Sequence, residues 1–195
     1  MIRFFTELCK RKLESLSDEV IFQNATAGFN YYGKRCPRCG AIGTISPYGC
    51  YSRYLVSYKD EKITGSLVSP LRFECKSCDT THALLPDILV PYSPYSLHFM
   101  LTVLIAYFER DTTVVAVCEC FGIAVSTLYA WKRRLYEHKA LVLGELLSRK
   151  KSALIFIHSF LNSPCLSDYL SNFFHRHAFS FMQSRSGTAT LSVPP

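Results

Sequence analysis

Two Cys-x-x-Cys pairs, Cys36-Pro-Arg-Cys39 and Cys75-Lys-Ser-Cys78, set the strongest limit on how this chain can fold. Thirty-five residues lie between them, and those residues read as strands. Four thiolates brought together in this way make a closed tetrahedral site, the arrangement zinc takes when its role is structural. A closed site leaves no position for a substrate water, so the pattern points to a scaffold that presents a surface rather than to a metal catalyst. Cys36, Cys39, Cys75 and Cys78 are therefore expected to hold one structural Zn2+. A redox reading would need a Cys-x-x-Cys at a helix start in a βαβ unit, and neither pair has that context. Lys34, Arg35, Arg38, Arg72 and Lys76 lie close in sequence and suit the net negative charge of a zinc tetrathiolate. Cys50 and His82 are the nearby spare ligands; the first reads as a packed thiol, the second as a surface or packing residue. Cys118 and Cys120 stand two apart on an expected helix and so face different sides. Cys9 and Cys165 carry no readable signal.

Nine cysteines in 195 residues would also fit a secreted disulfide framework, but the count is odd and four fall into metal-type spacing. The N-terminus has no apolar run of signal-peptide length, so a reducing cytoplasm is the expectation. The apolar stretches Leu97–Phe108 and Ala153–Leu161 are too short to cross a bilayer and read as buried helices. With 49% hydrophobic and 14% aromatic residues, the chain is globular rather than disordered. The formal charge is +7. A zinc tetrathiolate would lower it to about +5, a modest basic excess that suits a nucleic-acid partner without requiring one.

The chain reads as an α+β protein: a small four-cysteine zinc ribbon of β-structure, then an all-α helix-turn-helix region and C-terminal helices. Residues 1–33 are expected to form a helix from Phe4 to Leu16 and a loop from Asn24 to Gly33. Residues 34–90 form the ribbon, with strands over Tyr51–Tyr58 and Ile63–Phe73 around the polar turn Lys59-Asp60-Glu61-Lys62. Pro70 marks an edge or a break. So small a sheet buries too little apolar surface to fold alone; zinc would supply roughly 10–16 kcal/mol. Residues 91–140 are helical, opening with Ser93 as N-cap and Pro94 in the first turn, and stopping near Arg110-Asp111. Residues 141–183 continue as helix, broken at Pro164, and 184–195 read as a disordered tail.

Within 91–140, one helix is expected over Thr113–Phe121 and another from Ser126 as N-cap to about His138, with Gly122 at the turn. Val117, Cys118 and Phe121 would bury the first helix, Ile123 the turn, and Leu128 and Trp131 the second helix. That leaves Ser126, Thr127, Tyr129, Ala130 and Arg133 free, with Lys132, Arg133 and Arg134 adding charge. Side chains near the start of such a helix reach base edges in a major groove, and the helix start favours phosphate. Ser126, Thr127, Tyr129, Lys132, Arg133 and Arg134 are the expected DNA contacts. Tyr129 and Tyr136 fit stacking on the nucleic acid or plain packing equally well. An ordinary helical hairpin with a solvated basic face is the competing reading.

Cys36-Pro-Arg-Cys39-Gly40, Arg72-Phe-Glu-Cys75-Lys-Ser-Cys78 and Gly122-Ile-Ala-Val-Ser-Thr-Leu-Tyr-Ala-Trp-Lys-Arg-Arg134, with the Pro-Tyr stretch Val90-Pro91-Tyr92-Ser93, resemble bacterial insertion-sequence transposases. The likeness is to short proteins that join a zinc ribbon to a helix-turn-helix, over about residues 34–140. It implies a bacterial, cytoplasmic, non-enzymatic binder of double-stranded DNA, with a separate transposase or a second copy as further partners. A complete transposase continues into an RNase H-like domain with three acids on two metal ions. After residue 140 this chain has only Glu145 and Asp168, so strand-transfer catalysis is not implied. Two other classes stay open: a zinc-ribbon protein-interaction module, and a nuclease using Asp87, Glu109, Asp111 and Glu119.

Overall fold

A computed structural model of the chain describes residues 1–109 and 111–184. The strand-rich first half divides between two sheets. Four strands, β1 (Ile2–Phe4), β2 (Ile45–Cys50), β5 (Leu71–Cys75) and β6 (Thr80–Pro86), form one sheet in the order β1-β6-β5-β2. β3 (Arg53–Lys59) and β4 (Lys62–Val68) form a separate hairpin. Its turn, Asp60-Glu61, has both residues at positive φ (49° and 59°), the primed geometry that matches the twist of a two-residue hairpin. The break expected at Pro70 is where the chain leaves the hairpin and enters β5.

The N-terminal helix expected over Phe4–Leu16 is shorter. Ile2, Arg3 and Phe4 pair in parallel with Leu84, Leu85 and Pro86 of β6, and Arg3 donates to the Leu89 carbonyl at 2.8 Å. Thr6 is then held by Asp87, so helix α1 covers only Lys10–Ser15. The sheet edge offers backbone partners that a short, weakly amphipathic helix cannot match. The loop expected from Asn24 begins later, because Asn24–Ala27 belong to α2 (Asp18–Ala27). Ser17 caps α2 by accepting from the Val20 N–H, and Asp18 and Glu19 sit favourably in its first turn.

Among the described residues six helices follow the sheets: α3 (Leu97–Glu109), α4 (Val114–Cys120), α5 (Val125–Leu143), α6 (Glu145–Lys150), α7 (Ala153–Leu161) and α8 (Leu166–His177). α3 starts later than Ser93-Pro94 because residues 94–96 add to the edge of β3. Val56 N–H donates to the Pro94 carbonyl at 2.8 Å, and Ser96 N–H to the Val56 carbonyl at 3.0 Å. The cap is Ser96, whose Oγ accepts from the Phe99 N–H and donates to buried Asp18. α5 likewise begins before Ser126: Ala124 is its N-cap, and the helix runs on to Leu143.

The main core joins α1–α3, the hairpin, α4, α5, α7 and α8. Phe99, fully buried on α3, meets Phe121 at 6.0 Å and Trp131 at 6.1 Å, and Tyr58 of the hairpin meets Phe121 at 5.2 Å. The C-terminal segment folds back onto α5: Phe173, Phe179 and Phe181 surround His138, whose Nδ1 accepts from the Met182 N–H. Ala178 and Met182, at φ 59° and 63°, turn the chain there. The expected tail beyond Ser184 lies outside the described residues. No single helix among the described residues is long and apolar enough to cross a membrane.

Three distant segments meet at Asp87. Its carboxylate accepts from the Thr6 N–H (3.1 Å), the Thr6 hydroxyl (2.7 Å) and the Ser167 hydroxyl, and Ser167 Oγ also accepts from the Leu8 N–H. Asp87→Ala leaves the buried Ser167 hydroxyl and the half-buried Thr6 N–H and hydroxyl without this acceptor. It is expected to cost about 3 kcal/mol, read as a lower urea midpoint with an unchanged denaturant slope.

Candidate metal centre and exposed helical face

Each cysteine pair sits on a tight turn built the same way. In the first, Gly40 N–H donates to the Cys36 carbonyl (3.0 Å) with Gly40 at φ 77°. In the second, Asp79 N–H donates to the Cys75 carbonyl (2.9 Å) with Asp79 at φ 51°. A left-handed residue after the second cysteine curls each turn so that both sulfurs point inward. Glycine signals this in the first pair; aspartate, which tolerates the same region, fills the role in the second.

β5 carries Cys75, and its antiparallel partners bring the other turn to it: Ile45 of β2 pairs with Cys75. Lys76 N–H donates to the Thr44 carbonyl at 2.8 Å, locking the two turns together. The four sulfurs of Cys36, Cys39, Cys75 and Cys78 lie within 4.8 Å of one another. The Cys36–Cys78 distance is 3.8 Å and the Cys39–Cys75 distance 3.7 Å. Bonds of about 2.3 Å to the corners of a tetrahedron put sulfurs about 3.8 Å apart, whereas a disulfide needs about 2.05 Å. All four are free thiols, and the cluster is able to hold one metal ion.

The surroundings suit thiolates. Thr44 Oγ1 lies 3.2 Å from Cys75 Sγ, and its hydroxyl hydrogen bond is the largest cause bringing the Cys75 thiol down to about 6. Burial pushes Cys36 the other way, up to about 11. Arg38 N–H donates to Cys36 Sγ at 3.4 Å. Sequence reasoning read His82 as a surface or packing residue. It is buried, with Nε2 3.3 Å from Cys36 Sγ, and holds the ligand from outside the tetrad. A histidine two residues into the strand after Asp79 was the available signal. Cys50, read as a packed thiol, is exposed at the end of β2.

The expected cations around the site have partners of their own. Lys76 pairs with Glu74, Arg72 donates to Thr81 at 2.9 Å, and Lys34 lies over the Phe29 ring. A small second core of Ile2, Ile45, Phe73 and Leu84 lies under the two buried ligands Cys36 and Cys75. The loop after α2 covers it, with Phe29 and Tyr31 each 5.5 Å from Phe73. The sequence carried no hint of this role for the loop.

The second candidate surface is α5. α4 and α5 meet across residues 121–124 with a bend of 102°, and Gly122 has φ 58°. Val117, Cys118, Phe121, Ile123, Leu128 and Trp131 are all buried, as the pattern predicted. Ser126, Tyr129 and Arg133 are exposed along one side of α5, spaced by three and four residues. Thr127 and Arg134 are half-buried. Lys132 is engaged: its Nζ donates to the Tyr107 hydroxyl at 2.8 Å and lies over the Tyr107 and Tyr129 rings. Tyr136 is exposed and meets Phe108 at its edge. Of the four acids considered for a nuclease, Asp87 is consumed by the buried network above. Among the described residues, the four cysteines are the one group arranged to hold a metal.

Residues 36–131 match a family described as Domain of unknown function (DUF6431), a span of just under half the chain. It begins at the first cysteine of the cluster and ends at buried Trp131, so it takes in the metal centre, the hairpin and the α4–α5 turn together. No curated protein and no solved structure matches the chain.

Cys39 is exposed, so Cys39→Ser disturbs little packing. It is expected to cut the bound metal from one per chain to a small fraction, by elemental analysis, and to lower the melting temperature by ten degrees or more, on the order of several kcal/mol. Thr44→Val removes the hydroxyl donor and should raise the Cys75 thiol above its value of about 6 in metal-free protein. The readout is a thiolate absorbance titration with pH, shifted alkaline in the variant.

Proposed function

We propose that the chain is a zinc-stabilised protein that binds double-stranded DNA, with α4 and α5 acting as a helix-turn-helix. Zinc is the ion that best suits four thiolates at tetrahedral spacing in a closed, redox-silent site. Its task here is to hold the four-stranded sheet together, since that sheet's own core is only a few residues deep. In this reading the ion performs no chemistry on a substrate.

The observation that carries the DNA reading is the α4–α5 corner. Six apolar positions are buried at the spacing the motif requires, the turn glycine is left-handed, and the axes bend by 102°. Helix-turn-helix pairs cross at about 90–120°. The exposed side of α5 then offers a hydroxyl, a phenol and a guanidinium in Ser126, Tyr129 and Arg133, the last loosely paired with Glu137 at 3.9 Å. Arg133 is suited to the acceptors of a guanine edge or to a phosphate. Lys132, tied to Tyr107, and half-buried Arg134 shape the local field rather than reach bases. The net charge of +7 favours association with a polyanion.

The likeness of the cysteine pairs and the turn segment to insertion-sequence transposases gives this binding a setting. The protein would bind element ends or regulatory sites, with the chemistry supplied by a separate transposase. A second reading, a protein-interaction module, draws on the hairpin. Leu67 is 71% exposed and Tyr54 53% exposed on its outer face, and β4 has no strand on its far edge among the described residues. That reading requires zinc without DNA affinity.

Purified protein should contain one zinc per chain and bind duplex DNA with an affinity that falls steeply between about 50 and 200 mM salt. Arg133→Ala should weaken binding by about 1–3 kcal/mol if the residue meets a base, with the melting temperature unchanged. Fluorescence anisotropy across a salt series decides the matter: a flat salt response, or no binding, removes the DNA reading and leaves the interaction module.

A further inference from the structure

A cavity of about 620 Å3 opens where the C-terminal half of α5 meets the α6–α7 corner. Tyr136, Lys139, Ser148, Arg149, Lys151 and Ser152 line it, and among the described residues no carboxylate does. Three cations thus face one hollow. None of them belongs to an ion pair among the described residues.

Lys139 is the informative member. It is 4% exposed, and among the described residues its ammonium donates to the Lys151 carbonyl, at 2.7 Å. Burial holds it below the ordinary lysine value. A buried ammonium with no carboxylate is costly unless an anion visits the site. The backbone adds to this. Ser152 caps α7 by accepting from the Ile155 N–H, leaving the first-turn N–H groups of Ala153 and Leu154, both on the cavity wall, without an acceptor in their own helix. Donors of this kind beside lysine and arginine side chains suit the oxygens of a phosphate.

The cavity continues a stripe on α5. Tyr129, Lys132, Tyr136 and Lys139 alternate phenol and ammonium at spacings of three, four and three, so they share one side of the helix. Lys132 lies 5.6 Å from the Tyr129 ring centre, and Lys139 lies 5.4 Å from that of Tyr136. Ser126 and Lys139 are thirteen residues apart, about 20 Å along the axis. A major groove is about 12 Å wide. With the start of α5 at the base edges, its Lys139 end lies beyond the groove, where the sugar-phosphate strand runs.

We infer that this corner grips a backbone phosphate of the duplex whose groove receives the start of α5. The inference rests on the DNA-binding reading above. The phosphate enters the hollow between Arg149 and Lys151, meets the α7 N-terminus, and gives buried Lys139 its counter-charge. Contacts of this type set register on the duplex and carry no sequence information.

The test uses full-length, zinc-loaded protein and a fluorescein-labelled mixed-sequence duplex of about 30 base pairs, by anisotropy from about 50 to 200 mM salt. Arg149→Ala combined with Lys151→Ala is the main variant; both residues are at least partly exposed, so the fold should persist, checked by an unchanged melting curve. Lys10→Ala combined with Arg11→Ala removes the same charge from the exposed side of α1 and serves as the control. The pocket variant should bind about ten-fold more weakly, with its salt slope shallower by about 1–2, while the control keeps the native slope. If both doubles weaken binding alike, or the pocket variant keeps the native slope, the pocket is overturned and the DNA reading stands. If the native protein does not bind the duplex, both fall.

Discussion

Four sulfur atoms held within 4.8 Å of one another cannot all be anionic without a cation among them. Around that constraint the N-terminal sheet is arranged. β5 delivers Cys75 into the centre, β2 and the Thr44–Lys76 hydrogen bond bring the two turns together, the Thr44 hydroxyl donates to Cys75, and His82 Nε2 lies against Cys36. With a metal ion bound, mutual repulsion becomes shared attraction. The layer of Ile2, Ile45, Phe73 and Leu84 beneath the site then has a rigid lid.

The rest of the molecule is coupled to that sheet by polar ties as much as by apolar packing. Asp87 fastens the segment after β1 to α8, and Asp18 fastens α2 to the Ser96 cap of α3. Arg3 and Arg53, both drawn below the usual guanidinium value by burial, hold the carbonyls of Leu89, Val90 and Ser93. The Pro-Tyr stretch is thereby pinned from two sides. The hairpin packs on the helical core through Leu55 and Tyr58, one from each face of β3, and through the added residues 94–96 along its edge. The four-stranded sheet and the helical core meet at β6, whose Leu84 belongs to the small core under the cysteines and whose Leu85 belongs to the main core, and α2 packs on both β6 and the hairpin.

Much of the site is legible in the sequence itself. The ligand set was, because metal spacing is local: two residues between cysteines in a tight turn leave few other uses. The buried positions of α4 and α5 followed from periodicity and one glycine. The errors share a cause. Phe4–Leu16 was read as a helix, but its first residues have a strand edge within reach. Ser93 looked like a cap, but the chain there is captured by β3, and the cap passes to Ser96. In each case a partner more than thirty residues away outcompeted a local preference worth only about 1 kcal/mol. His82 was undervalued for a related reason: nothing in its neighbourhood says that a sulfur forty-six residues earlier lies 3.3 Å from it.

By itself, the sequence determined that four cysteines would come together, that the chain would join a small sheet to helices, and that α4 and α5 would bury the residues they bury. Those outcomes rest on short-range geometry: the bite of a Cys-x-x-Cys turn and the repeat of a helix. Tertiary structure alone decided how the strands divided into two sheets and which cations stayed unpaired. It also decided that Lys139, Arg149 and Lys151 would share a hollow at the end of α5. Those depend on which distant backbone and charge each group meets after packing, and no local pattern records that.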